Sequence, residues 1–303
     1  MYALYFRIRN VIIPIDLQLK LFDCLISPIL LYGAEIWSYE NMNAIERIHL
    51  NFLKKILKVR GSTPNYMVYG ETGRYPLEIT AKIKSLCLWS KLLQSENSKL
   101  SGIIYQLLYK VNQSDNKVFP WISHIKKILD DSGFSYMWSS QIPSSSEEIK
   151  IVIKQRLVDQ FMQNWVSNME HSSRGRYYLT FKSDLCLEKY LISLKKSDRH
   201  ILCKFRCSNL KLPVETGRWK NIPYQNRICS LCEGNAIGDE FHYLFICSHN
   251  LINQLRQKHI SSYYTVMPSV QKMKGLLSLC NKPVLNHLCI FLRKLESLLR
   301  NEL

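Results

Sequence analysis

Acidic residues, glycine and proline are scarce in this sequence, and it has no long apolar run. With 11 glycines and 10 prolines in 303 residues, it is not a collagen-like or linker-rich chain. The longest apolar stretch, residues 24–34, is interrupted by Pro28, whereas a membrane-spanning helix needs about 20 apolar residues. Arg7 and Arg9 break up the first apolar stretch, which argues against a secretory signal. We therefore expect no membrane partner and a location in a reducing compartment inside the cell, nucleus or cytoplasm.

The residues that are abundant indicate a folded, cationic protein. A hydrophobic content of 47% with 11% aromatic residues is too high for a disordered chain. There are 41 lysines and arginines against 24 acidic residues, which gives a formal net charge of +17. Residues 150–228 hold 16 of those cations and 6 of the acids, with aromatic residues between them. This excess predicts a polyanionic partner, and nucleic acid, RNA or DNA, is the usual one.

Hydrophobic periodicity predicts a mainly α fold. Residues 43–58 carry two rows on opposite sides of a helix. The apolar row is Ile45, Ile48, Phe52 and Ile56, and the polar row is Arg47, Asn51, Lys54 and Lys58. The cationic row is either an ordinary solvated face or a surface that follows phosphates. A second helix is predicted over residues 77–93, after Pro76. Strand-like character is confined to residues 10–15 and 176–181.

The strongest motif is a set of metal-ligating residues with the spacing Cys229-x2-Cys232-x9-His242-x4-Cys247. Two thiolates from a C-x2-C turn, one imidazole and a third thiolate are the donors that tetrahedral zinc prefers. Four protein ligands leave no open position, so we predict a structural Zn²⁺ rather than a catalytic one. The alternative is four unrelated core residues.

The second half of the motif poses a geometric problem. Residues 239–246 are predicted to form a short helix, and five residues of regular helix rotate a side chain by about 140° beyond a full turn. His242 and Cys247 therefore cannot both face one metal from a regular helix. We predict that Cys247 lies at or just past the helix end, and His249 is kept as an alternative ligand.

One acidic pair imitates a polymerase centre. Asp130 and Asp131 match the paired carboxylates that hold two Mg²⁺ ions, but Ser132 and Gly133 follow them as a helix-ending turn would. No third carboxylate lies in a recognisable partner motif. We therefore predict no catalytic residue, no enzymatic activity and no small-molecule substrate.

Five segments together resemble LINE-type (non-LTR) retrotransposon reverse transcriptases. They are residues 27–37 (SPILLYGAEIW), 45–57 (IERIHLNFLKKIL), 68–77 (VYGETGRYPL), and the pair 227–232 (RICSLC) with 239–247 (DEFHYLFIC). In that family such segments belong to the polymerase thumb, a linker and a C-terminal zinc module that contacts nucleic acid. The resemblance implies a C-terminal remnant without the polymerase palm and the endonuclease, which would precede residue 1.

The resemblance and the periodicity together suggest a division of the chain. We predict a helical thumb-like domain (1–143), a basic helical linker region (144–225), a zinc-binding module (226–250) and C-terminal helices (251–303). The expected function is nucleic-acid binding. A zinc-stabilised protein-interaction module without nucleic-acid binding is the alternative.

Nine residues are the candidate nucleic-acid contacts. They are Arg47, Lys54, Lys58, Arg174, Arg176, Arg206, Arg218, Trp219 and Lys220. Arg174 and Arg176 flank a glycine in a loop suited to phosphate contact, and Arg218 stands beside a stacking surface in Trp219. Alternatively, several of these arginines pair with Glu215, Asp239 or Glu240 inside the fold.

Overall fold

The computed structural model describes residues 13–95, 99–114, 119–142 and 145–301, and over these residues the fold is mainly α, as predicted. Extended pairing there is limited to two isolated bridges, Thr72 with Leu187 and Ile228 with Ile237. No single helix within the described ranges is long and apolar enough to cross a membrane, although the bent pair Val270–Leu277 and Lys282–Arg300 together meets the length and composition criteria.

Contacts group the chain into two compact units. Unit 1 consists mainly of Leu17–His49 and Tyr75–Asn164, and unit 2 mainly of Leu50–Arg74 and Trp165–Leu303. Both units are therefore assembled from segments distant in sequence. The predicted four-part division with boundaries at residues 143, 225 and 250 follows the sequence order and remains a prediction.

The helices up to residue 170 come first. They are α1 (Ile15–Leu21), α2 (Ser27–Leu30), α3 (Ala34–Leu57), α4 (Asn65–Thr72), α5 (Leu77–Leu93), α6 (Leu100–Ser114), α7 (Pro120–Ser132), α8 (Ser135–Ser140), α9 (Ser146–Glu148) and α10 (Lys154–Glu170). Wider π-helical turns lie at Phe22–Ile26 and Ile149–Ile153.

Shorter helices make up most of the remaining chain. They are α11 (Tyr178–Phe181), α12 (Lys189–Ser193), α13 (Lys196–Arg206), α14 (Pro213–Trp219), α15 (Asn250–His259), α16 (Ser262–Thr265), α17 (Val270–Leu277) and α18 (Lys282–Asn301). The strand-like run at residues 176–181 is helical from Tyr178 onward, so that prediction is wrong for α11. Residues 10–12 of the other strand-like run lie outside the described residues, and Ile15 begins α1.

Unit 1 is built around α5, which spans the predicted residues 77–93. The buried side chains of Leu86 and Trp89 pack with residues of α7 and α8, including Trp138. The Trp89 Nε1–H donates to the Tyr105 hydroxyl at 2.8 Å, which gives the buried indole its polar partner.

Asp130 and Asp131 lie in the last turn of α7, as predicted for a helix-ending turn. Gly133 adopts a left-handed conformation with φ of 83°, which a side chain would strain. The Gly133 N–H donates to the Asp130 carbonyl at 3.1 Å and the Phe134 N–H to the Leu129 carbonyl at 2.7 Å. These bonds form a Schellman motif, the usual end of an α-helix.

Helix α3 has the two faces that its periodicity predicts. Phe52 and Ile56 of the apolar row are buried, whereas Arg47 and Asn51 of the polar row are exposed. The helix ends at Leu57, and Lys58 has a positive φ of 55°. Lys58 therefore leaves the helical row and belongs to the turn that follows.

Residues 68–74 of the segment 68–77 have a structural role in unit 2. A Cβ at Gly70 would lie 2.4 Å from the Tyr178 hydroxyl, and one at Gly73 would lie 2.4 Å from the Leu187 nitrogen. Gly73 also has a φ of 63° and ends α4. Close packing and backbone conformation therefore both require glycine in this segment.

Between these glycines, Glu71 enters a buried ion network. Its carboxylate lies 3.0 Å from the Arg206 guanidinium and accepts a 2.5 Å hydrogen bond from the Tyr190 hydroxyl. Arg206 also contacts Glu188 at 3.2 Å, and Lys182 pairs with Glu188. The side chains of both Glu71 and Arg206 are 0% exposed. Each charge in this buried network thus has an opposite charge as its partner, which offsets the cost of burying it.

Candidate metal centre and basic face

The first two candidate ligands lie in the loop of a minimal β-hairpin. The Cys229 N–H donates to the Ala236 carbonyl at 2.8 Å, and the Gly238 N–H donates to the Arg227 carbonyl at 2.9 Å. These two bonds flank the bridge between Ile228 and Ile237. The pairing closes the loop that carries the C-x2-C sequence and thereby holds both thiols at one end of the hairpin.

The other two ligands are brought together by a π-helical turn, His242–Ile246. The Asp239 carboxylate begins the turn by accepting a 2.9 Å hydrogen bond from the His242 N–H. The Cys247 N–H then donates to the His242 carbonyl at 2.8 Å, which is the i to i+5 bond of a π-helix. Five residues therefore close about one wide turn. Cys247 lies just past the helix end, as predicted, and on the same side as His242.

The four predicted ligands form one cluster. The ligand atoms of Cys229, Cys232, His242 and Cys247 all lie within 4.8 Å of one another, so they could hold a metal ion. The Cys229 and Cys247 sulfurs are 3.9 Å apart, and the Cys232 sulfur lies 3.4 Å from the His242 Nε2. Tetrahedral zinc, with Zn–S near 2.3 Å and Zn–N near 2.0 Å, requires about 3.8 Å and about 3.5 Å for these two distances. The donor set therefore fits zinc. The His249 imidazole, the alternative ligand, is not part of the cluster.

Further groups around the cluster can hydrogen-bond its sulfurs. The Tyr243 hydroxyl lies 3.3 Å from the Cys229 sulfur and the Leu231 N–H donates to the same sulfur at 3.4 Å. The hydrogen bond with Cys247 lowers the pKa of Cys229, which favours its thiolate. Tyr243 is fully buried, and neither its role nor that of the Leu231 N–H was anticipated from the spacing of cysteines and histidines.

Arg256, on α15, fixes the end of the π-helical turn. Its guanidinium donates to the Leu244 carbonyl at 3.0 Å and to the Cys247 carbonyl at 2.9 Å. Arg256 is buried, so its charge acts in a poorly solvated environment. Three thiolates with Zn²⁺ would carry a net charge of −1, and a buried cation close to them offsets it. The sequence alone does not indicate that Arg256 is buried, because its neighbours in the helix are mostly polar, as they are around a solvent-exposed arginine.

Several of the predicted nucleic-acid contacts lie in unit 2 near Arg60, a residue that was not predicted. The Arg60 guanidinium stacks over the Trp219 ring at 4.4 Å. Arg174 donates to the Ser62 carbonyl, and Arg218 pairs with Glu215 at 2.7 Å. We call Lys54, Arg60, Arg174, Arg218 and Trp219 the basic face.

Lys54 belongs to this face because it is electrostatically coupled to Arg174. Burial lowers the pKa of the Lys54 ammonium, and the nearby Arg174 charge lowers it further. Lys54 also donates to the Gly61 carbonyl at 2.7 Å and to the Asn65 side chain at 3.1 Å. Like charges held this close at a partly exposed surface favour an anionic ligand that would neutralise them.

Arg206 must be removed from the candidate contacts. Its guanidinium is buried in the ion network with Glu71 and Glu188, so it cannot reach a polyanion in solvent. The alternative of internal pairing also describes Arg218, which shares two hydrogen bonds with Glu215. Arg176 is exposed and donates to the Tyr224 hydroxyl at 3.0 Å. The remaining candidates, Arg47, Lys58 and Lys220, are exposed.

Comparisons of the chain with protein-family models, with curated proteins and with solved structures found no match. The functional argument therefore depends on the cluster and the basic face themselves.

Proposed function

We propose that this protein is a zinc-containing nucleic-acid-binding module related to the C-terminal part of LINE-type reverse transcriptases, with a binding rather than a catalytic role. The five segments that resemble that family support the origin. The stacked Arg60–Trp219 pair carries the binding proposal, because it places a fixed cation and an exposed aromatic ring among other cations.

In this proposal Cys229, Cys232, His242 and Cys247 hold one Zn²⁺ ion. The ion would join the hairpin loop to the π-helical turn and so supply a structural cross-link. Their sulfur–sulfur and sulfur–nitrogen distances support a closed tetrahedral site with no position for substrate.

Neutralising part of the basic face tests the binding proposal. In a variant with Lys54→Gln and Arg174→Gln in the face and Lys220→Gln next to Trp219, we expect affinity for a labelled RNA single strand to fall by about tenfold at low salt. The plot of log affinity against log salt should flatten by about 2, since each lost phosphate contact removes about 0.7 from the slope. Fluorescence anisotropy over a salt series measures both quantities.

A matched control removes three charges elsewhere. Lys91→Gln, Lys126→Gln and Lys127→Gln change exposed residues of unit 1 and lower the net charge equally. This variant should keep most of the affinity and slope. Equal effects in both variants, with circular dichroism and zinc content unchanged, would mean that net charge alone drives binding and that the basic face is not a site.

The alternative, a zinc-stabilised protein-interaction module, predicts a different result. Such a module would bind nucleic acid weakly or not at all, with little dependence on salt. Apolar residues exposed on unit 1, such as Ile29, Tyr32 and Ile36, are the observation that favours it. The wild-type salt series distinguishes the two functions.

A further inference from the structure

The Arg60–Trp219 pair is held in a fixed geometry. Trp219 ends α14 with 47% of its surface exposed, and the Arg60 guanidinium covers one face of its ring. The Arg60 N–H donates to the Asn209 side-chain oxygen at 2.9 Å, and the Thr63 hydroxyl donates to the same oxygen at 3.0 Å. The Arg60 guanidinium also donates to the Asn209 carbonyl. The cation is therefore anchored from both ends before any ligand arrives.

Arg60 also lines a cleft of about 430 Å³ in unit 2. The other residues of this basic cleft are Lys58, Lys204, Asn209, Lys211, Glu296 and Arg300. Glu296 is the one acid among them, and it is shared by Lys204 at 3.3 Å and Arg300 at 2.9 Å. Lys58 and Lys211 are exposed. Five cations facing one carboxylate leave a strong positive excess, which suits a phosphate group.

Building on the proposed function, we propose that the Arg60–Trp219 pair and the basic cleft form one subsite for an unpaired nucleotide of single-stranded nucleic acid. The base stacks against Trp219, and the adjoining phosphate enters the cleft. Arg60 belongs to both parts, so it aligns the stacking platform with the phosphate donors.

Stacking gives this subsite a preference for single strands. Bases in a duplex are already stacked on their neighbours, whereas an unpaired base can leave its strand and lie on an aromatic ring. The cleft alone would accept phosphates from either kind of strand, because phosphate contacts carry no information about pairing. The preference therefore depends on Trp219, and overall affinity depends on the cleft lysines.

Another exposed aromatic residue in unit 2 provides a control. Tyr263 is 67% exposed, and the Lys272 ammonium lies 5.2 Å from its ring centroid. It is thus also an exposed ring beside a cation, but neither residue lines the basic cleft. If an exposed aromatic ring beside a cation were sufficient to bind a base, the Tyr263–Lys272 pair and the Arg60–Trp219 pair would contribute equally to affinity.

The test measures anisotropy of the full chain, loaded with zinc, with labelled 12-nucleotide oligo(U), oligo(dT) and a 12-base-pair RNA duplex. We expect both single strands to bind more tightly than the duplex. Trp219→Ala should weaken single-strand binding by about tenfold or more, Trp219→Phe by less, and Tyr263→Ala by less than twofold. Duplex affinity should change by less than twofold in all three variants. The double variant Lys58→Gln, Lys211→Gln should lower the affinity for all three ligands and make each affinity less dependent on salt.

The results separate this inference from the proposed function. Equal affinities for oligo(U) and oligo(dT) support a subsite that contacts only the base and the phosphate. A higher affinity for oligo(U) supports the same subsite with an additional contact to the 2′-hydroxyl. Trp219→Ala with unchanged single-strand affinity, or with an equal loss on the duplex, overturns the subsite and leaves nucleic-acid binding in place. Failure of all three ligands to bind wild-type protein at low salt overturns both.

Discussion

Replacing Cys229 and Cys232 together by serine is expected to abolish zinc binding and to destabilise unit 2 by more than about 4 kcal/mol. The metal would cross-link the hairpin loop to the π-helical turn, because each of these two segments carries two of the four ligands. Without it, the two remaining ligands, Cys247 and His242, lose their common partner. Chemical unfolding followed by circular dichroism, with zinc counted by mass spectrometry, measures both effects.

The matched control replaces two cysteines outside the cluster. Cys24 and Cys280 are exposed, so Cys24→Ser with Cys280→Ser should keep one zinc per chain and unfold within about 0.5 kcal/mol of the wild type. A Cys229/Cys232 variant that is as stable as this control, together with a wild-type protein that contains no zinc, would refute the metal centre. If the purified protein instead contains one equivalent of another metal, the choice of zinc is refuted but the metal site is not.

Arg206→Met is expected to cost about 3–5 kcal/mol of unfolding free energy, although Arg206 touches neither the metal cluster nor the solvent. The substitution keeps most of the side-chain volume but removes the charge that balances Glu71 and Glu188. Glu71 is 0% exposed, so the substitution leaves a buried carboxylate without its cationic partner, which lowers stability.

An exposed arginine with an acidic partner shows how far burial accounts for this cost. Arg300 pairs with Glu296 at 2.9 Å on the surface of α18, and its side chain is 60% exposed. Arg300→Met should therefore cost less than about 1 kcal/mol. In a double-mutant cycle, Glu71→Gln should reduce the effect of Arg206→Met, because the two charges interact directly. Equal small losses for both arginines would contradict the assigned importance of the buried network.

Local patterns in the sequence were sufficient for the mainly α fold class and for the four residues that cluster as a possible metal site. Apolar periodicity after Pro76 predicted the helix that the structure places at Leu77–Leu93. The C-x2-C spacing identified two of the four clustered ligands, and the helical rotation argument required Cys247 to lie beyond the helix end. The π-helical turn itself was not predicted, because no residue pattern specifies an i to i+5 bond.

Long-range contacts decided what the sequence could not reveal. Arg206 looked like a surface cation because its charge and neighbours match those of exposed arginines, but its partner Glu71 is 135 residues away in the chain. Arg60 was overlooked because the ring that it covers belongs to a distant helix, α14. Arg256 acts on carbonyl groups of another segment. Burial and partner choice at these positions are properties of the tertiary fold rather than of local composition.

Titrating labelled single-stranded RNA with the zinc-loaded chain at a series of salt concentrations tests the central claim most directly. We expect tight binding at low salt and a log–log slope of about −3, which corresponds to about four phosphate contacts on a single strand. The affinity that is lost at high salt should return when the salt is diluted. Binding that is absent at low salt, or that does not change between low and high salt, would contradict a nucleic-acid-binding function.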